Sequence, residues 1–335
     1  MQKITLPPGS TTSCRHFVLF VLGLLLVLSG CTGLHTPSPS SSELSVIGPS
    51  VSADPLAVFA PVFVLPEAGR PYNRIGKVMA QTTTDGEEIN IDPEHPVLYS
   101  GLFPFSTQKG AYTNLVYRVH FQKIPWSLVP FHFGAGSNVG LLVVVTLSDN
   151  GVPLLVTTVN TCGCYVAVIP TTSLPPEDYP RGWNTQRQSV YGEVLPGVLP
   201  AYSGDDVLLV KVRSGVHRVM DVQVVSRSSL SKKETARAQM LPLQALHHLV
   251  LASGTTTSMY YNCWPLRGHV KGAIKPLESL LLGLVSLDFY VGMDKEYGDT
   301  AVSGNPFYTS LLPWNRHASD MNNFAGFLRF WGWRL

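Results

Sequence analysis

The chain has 335 residues, 24 Lys and Arg against 22 Asp and Glu, with 14% charged and 45% apolar residues. That composition excludes a wholly disordered chain, and the even charge argues against a protein built around a basic nucleic-acid face. The length suffices for one large or two ordinary domains, and 29 glycines with 26 prolines lean toward a turn-rich fold containing strands.

The first sixteen residues hold Lys3 and Arg15 and no acid, and Phe17 to Leu28 are apolar apart from Gly23. A basic start followed by about a dozen apolar residues has the form of a secretory signal, and the run is shorter than the roughly 20 residues a spanning helix needs. It ends in Leu28-Ser29-Gly30-Cys31, which resembles the lipobox of bacterial lipoproteins. The resemblance covers the signal alone. It implies cleavage between Gly30 and Cys31 and lipidation of Cys31 as the first residue of the mature chain. Thr32 stands where an Asp would resemble an inner-membrane retention signal. The expected location is therefore the bacterial cell envelope, lipid-anchored at the outer membrane and facing the periplasm. Removing residues 1–30 leaves as many basic as acidic residues. Acyl chains, at about 0.8 kcal/mol per buried CH₂, would then hold the body to its first partner, the membrane.

Residues 31–54 are rich in Ser and Pro and read as a tether. A coil of this length averages roughly 26 Å end to end. The remainder, 55–335, reads as a single α+β domain, with an antiparallel or mixed β-sheet over 55–226 followed by a helix-rich part over 231–335.

Within the strand-rich part, Tyr112 to Phe121 alternates apolar and polar residues, as on a half-exposed sheet. Val139 to Leu147 and Val152 to Val159 are β-prone runs separated by Ser148-Asp149-Asn150-Gly151. Asn-Gly between such runs predicts a hairpin, with positive φ at both turn positions. Both runs are apolar on both faces, which places them centrally. A second hairpin is expected from Asp206–Arg213 and Val216–Val225 around Ser214-Gly215, with His217 on the solvent side. In the C-terminal part, Ser231 and Glu234 have capping-box spacing and predict a helix through about His248. Pro276 to Tyr290 suits a largely buried helix with Pro in its first turn and Glu278 and Asp288 at its bounds. Ser319 is placed to cap a last helix whose Phe324, Phe327, Leu328 and Trp331 share one face. That face is expected to dock on the sheet, and an envelope protein partner is the functional alternative for it.

Three cysteines remain after Cys14 and Cys31: Cys162, Cys164 and Cys263. If the strand before Cys162 continues, Cys162 and Cys164 face the same side, with Gly163 letting the backbone bend. The favoured reading is structural, a disulfide from one of the pair to Cys263 or buried thiols. The alternatives are a soft metal ion with Cys263 or a histidine as third ligand, and thiol–disulfide exchange. There is no CxxC, no HExxH, no EF-hand loop and no phosphate loop. Ser137 in Gly134 to Gly140 lacks the flanking glycines of a GxSxG elbow, and His247-His248 diverge by about 100° on a helix. No catalytic residue and no cofactor other than the covalent lipid is expected. The functional reading is an envelope lipoprotein with an interaction or structural role, and the alternative is a periplasmic metal-binding or thiol-redox protein using Cys162 and Cys164.

Overall fold

Val139 to Val159 forms the predicted pair of antiparallel strands, though not with the predicted turn geometry. A computed structural model describes residues 45–49, 54–84, 86–230, 235–298 and 303–335. In chain order the strands are β1 (Ser45–Pro49), β2 (Val62–Leu65), β3 (Lys77–Thr83), β4 (Gly86–Asp92), β5 (Val97–Ser106), β6 (Ala111–Ile124), β7 (Gly136–Ser148) and β8 (Pro153–Asn160). They continue with β9 (Ala167–Pro170), β10 (Arg187–Val190), β11 (Glu193–Pro196), β12 (Asp206–Val212), β13 (Val219–Ser226), β14 (Thr235–Pro242), β15 (Leu249–Val250) and β16 (Thr256–Thr257). Among the described residues there are four short helices: α1 (Pro55–Val58), α2 (Arg227–Leu230), α3 (Pro276–Ser286) and α4 (Phe324–Phe330).

Ten strands form one curled sheet in the order β13-β12-β2-β1-β14-β5-β6-β7-β8-β9. β5 through β9 run as an antiparallel meander. The pairs β2/β12, β1/β14 and β14/β5 are parallel. β3/β4, β10/β11 and β15/β16 are separate two-stranded ribbons. Along β6 and β7 the side chains sort by the two-residue period of a strand. Val116, Leu142 and Val144 enter one core, and Leu115, Tyr117, Val143 and Val145 enter the other. The first core is completed by Phe307, Phe324, Phe327 and Leu328, so the C-terminal segments cover one face of the sheet. Both faces being buried explains why these strands read as continuous apolar runs.

The expected α+β class does not hold. The chain is 42% strand and 15% helix, and its C-terminal part is not helix-rich. The predicted helix from 231 to about 248 is instead β14, followed by a 3-10 turn at Leu243–His247. Its Ala, Arg, Gln and Met favour a helix locally, but Val46–Pro49 of β1 and Val97–Ser100 of β5 offer backbone partners that override propensity. The capping-box residues 231–234 lie outside the described residues.

The last helix is α4, capped by Asn323 accepting from the Gly326 N–H, not by Ser319. Ser319 is buried, and its hydroxyl accepts from the Thr309 and Ser310 N–H groups. Phe324, Phe327 and Leu328 pack inward as expected of one face, while Trp331 lies half-exposed and donates its Nε1–H to Thr309.

Other details depart from expectation for local reasons. β1 lies inside the span read as tether: Val46 and Ile47 are buried, and the strand pairs on both edges. In the central hairpin, Gly151 takes positive φ and Asn150 does not, and a bulge at Thr146/Leu147 absorbs the difference. His217 is not on a solvent-facing strand position. It sits in the β12–β13 turn at φ 52°, buried and stacked at 4.1 Å on Phe121.

Candidate functional site

Cys162 and Cys164 sit where the chain leaves the sheet at the end of β8. The strand does not continue through them. The Gly163 N–H donates to the Asn160 carbonyl (2.7 Å), and the Asn160 N–H donates to the Cys164 carbonyl (2.9 Å), closing a tight turn. Gly163 adopts φ 92°, and a Cβ there would fall on the Tyr308 carbonyl oxygen, so only glycine fits. The turn brings the two Cα atoms to 5.6 Å, and the sulfurs are bonded to each other. This replaces the expected bridge to Cys263, which is free and exposed. Cys162 is buried and Cys164 is half-buried.

Polar side chains are gathered under this turn. Glu278, in the first turn of α3, points inward, and a carboxyl oxygen lies within 4.8 Å of both sulfurs. Gly292 lies against this carboxyl so closely that a Cβ there would stand 2.8 Å from Glu278 Cδ. Asp294 accepts from the Lys275 ammonium (3.0 Å), the Gly140 N–H (2.7 Å) and the Thr161 hydroxyl. Lys295 donates to the carbonyls of Cys162 (2.7 Å) and Met293 (3.1 Å), and its ammonium lies 4.2 Å over the Tyr308 ring. Arg118 donates to the Lys295 carbonyl (2.8 Å) from the centre of the sheet.

Burial sets the protonation of this cluster. It pushes the Glu278 carboxyl above its ordinary range, against the opposing pull of Lys275 and Lys295. Burial also lowers Lys295 to about 8, with Lys275 adding repulsion and Asp288 opposing it. A carboxyl shifted toward its protonated form therefore lies beside the disulfide, with Lys275 and Lys295 acting on it electrostatically.

A carboxylate and two thiolates within this distance are a recognised ligand set for a soft metal. With the sulfurs bonded to each other, the thiolates such a site needs are not available. Among the described residues no histidine joins this group; His247 pairs with Glu296 (3.0 Å), and buried His120 accepts from Arg118 (2.8 Å). Glu278, Asp294 and Lys295 were not singled out as site residues from the sequence. The available signal was an acid lying at the start of the apolar run from Pro276 to Leu287. Gly30 and Cys31, the cleavage and lipidation residues, lie outside the described residues.

A second feature is the outer face of α3. Glu278 and Ser286 are buried, and the Ser279 hydroxyl turns in to donate to the Val291 carbonyl (2.9 Å). Leu280 and Leu284 are 68% and 74% exposed, and Val285, Leu287 and Phe289 are also exposed. The helix expected to be largely buried is therefore turned with its polar stripe inward and its apolar stripe outward. Exposed aromatic and aliphatic side chains belong to the segments that meet its two ends. The β6–β7 connection carries Trp126, Leu128 and Val129 and closes on Ile274 and Lys275 through Gly136. At the other end, beside Trp314, Arg316 donates to the Ser286 carbonyl and pairs with Asp288 (3.6 Å). Among the described residues, no helix is long and apolar enough to cross a membrane.

Comparison with protein-family models, curated proteins and solved structures yields no match for this chain.

Proposed function

We propose that this chain is a lipid-anchored envelope protein that works by contact, held by acyl chains on Cys31 and resting the outer face of α3 on the bilayer. The observation that carries the reading is the inverted polarity of α3, together with the lipobox at 28–31. An apolar stripe left in water without a partner is unfavourable, and large exposed apolar patches mark contact surfaces. The bilayer is the occupant for three reasons. Only 13 residues separate Cys31 from the start of β1, a contour of roughly 50 Å, which keeps the body near its own anchor. The exposed part of the helix carries no charge. Exposed tryptophans on the segments that meet its two ends are the residue type favoured at membrane interfaces.

Mass spectrometry of the native amino-terminal peptide tests the anchor. Acylated Cys31, and movement of a Cys31→Ser variant from the membrane to the soluble fraction, are the expected results. An unmodified Cys31 would remove the anchor from the reading. Stoichiometric crosslinking of α3 to one envelope protein in intact cells would replace the bilayer with that partner.

A further inference from the structure

We propose that the Cys162–Cys164 disulfide is an exchange site that oxidises dithiols, with Cys164 the sulfur attacked and Glu278 the proton donor to Cys162. The proposal does not depend on the lipid anchor. Three observations place these roles. Cys164 is half-buried and Cys162 is buried, so an incoming thiolate reaches Cys164 first. The Glu278 carboxyl lies within 4.8 Å of both sulfurs on the inner side. Lys295 is fixed to the Cys162 carbonyl, which holds one ammonium against the residue whose sulfur leaves.

The exchange balances in two steps. A substrate thiol loses its proton to solvent, and the thiolate attacks Cys164 Sγ. The bond to Cys162 breaks, and the electron pair leaves on Cys162 Sγ, which takes the proton from Glu278. The second substrate thiol then loses its proton to solvent and attacks the substrate sulfur of the mixed disulfide, while the Glu278 carboxylate regains a proton from solvent. Cys164 departs as a thiolate and takes a proton from solvent. The substrate dithiol has become a disulfide, and two electrons rest on Cys162 and Cys164 as thiols. Return to the oxidised form follows the same path backwards, with a more oxidising disulfide as acceptor. Burial keeps the Glu278 proton in place at pH values where an exposed carboxyl has lost it.

The test uses the full chain in detergent with Cys263→Ser as background, dithiothreitol as the dithiol, and alkylation followed by peptide mass spectrometry as the readout. The expected result is reduction of the pair while circular dichroism stays native. The rate, normalised to dithiothreitol thiolate, should fall as Glu278 ionises. Glu278→Gln should slow reduction by about a hundredfold on the acid side of that inflection and abolish the inflection. With glutathione disulfide, Cys162→Ser should accumulate the adduct on Cys164, and Cys164→Ser should leave Cys162 unmodified. Reduction only after unfolding, a normalised rate flat with pH in the unsubstituted protein, or equal adducts on the two single-serine variants would each overturn the proposal.

Discussion

Replacing Leu280 and Leu284 together by Gln separates a docking face from a misjudged core. Gln matches Leu in helix propensity, so the helix itself should not weaken. The two side chains are 68% and 74% exposed, so little of their surface is removed from water by the fold. The expected change in folding stability is therefore within about 0.5 kcal/mol, as for ordinary surface positions. Their value lies in docking. Full burial of a leucine contributes about 1.5–3 kcal/mol, and roughly two thirds of that is still available at each site, which amounts to about 2–4 kcal/mol for the pair. Partition onto a bilayer should then fall about 30- to 700-fold. The assay is flotation of phosphatidylcholine vesicles with the chain from residue 31 carrying Cys31→Ser, so that acyl chains do not contribute. Urea unfolding of the same samples gives the stability. A stability loss above about 2 kcal/mol would mean that the face is covered within the molecule. Unchanged vesicle binding would mean that it does not meet lipid.

Three further outcomes follow from the buried groups. Lys275→Met leaves Asp294 with its Gly140 and Thr161 donors but no counter-ion, and urea melts should show a loss of about 3–5 kcal/mol. Gly163→Ala forces a Cβ onto the Tyr308 carbonyl at φ 92°, and a destabilisation of at least about 2 kcal/mol is expected by thermal denaturation. His217 is held down to about 3 by burial, so it stays neutral in the folded chain while its unfolded counterpart takes a proton below about 6.5. Its contribution to stability is complete above that value and declines toward pH 3, at about 1.4 kcal/mol per pH unit. His217→Gln should reduce the slope of unfolding free energy between pH 6 and 4 by that amount, measured by urea titration at each pH.

What was readable in advance was mostly local. The Asn150-Gly151 hairpin follows from one β-prone run, one turn and a second run, and its partners are neighbours in the chain. β14 was not readable, because its partners lie about 140 to 190 residues away and its own composition favours a helix. β1 was hidden by the serines and prolines around it, with only Val46 and Ile47 to mark it. Helix α3 is legible as a helix, but not which of its sides faces the core. An apolar stripe indicates a contact, and sequence alone does not say whether that contact is the protein's own core. The cysteine turn was legible as a site, but its depth was not, since Glu278, Asp294 and Lys295 reach it from more than a hundred residues further on.

The position of β14 also bears on how the molecule is made. It stands between β1 and β5 and joins the four-strand group β13-β12-β2-β1 to the meander β5-β6-β7-β8-β9. A nascent chain that has emerged only as far as residue 226 has both groups in hand but no strand to pair between them, and each presents an unpaired edge. Closure waits for residues 235–242 to arrive. Until then the growing polypeptide is a candidate for chaperone custody, and stop codons placed just before that stretch should yield aggregates, not a smaller folded product.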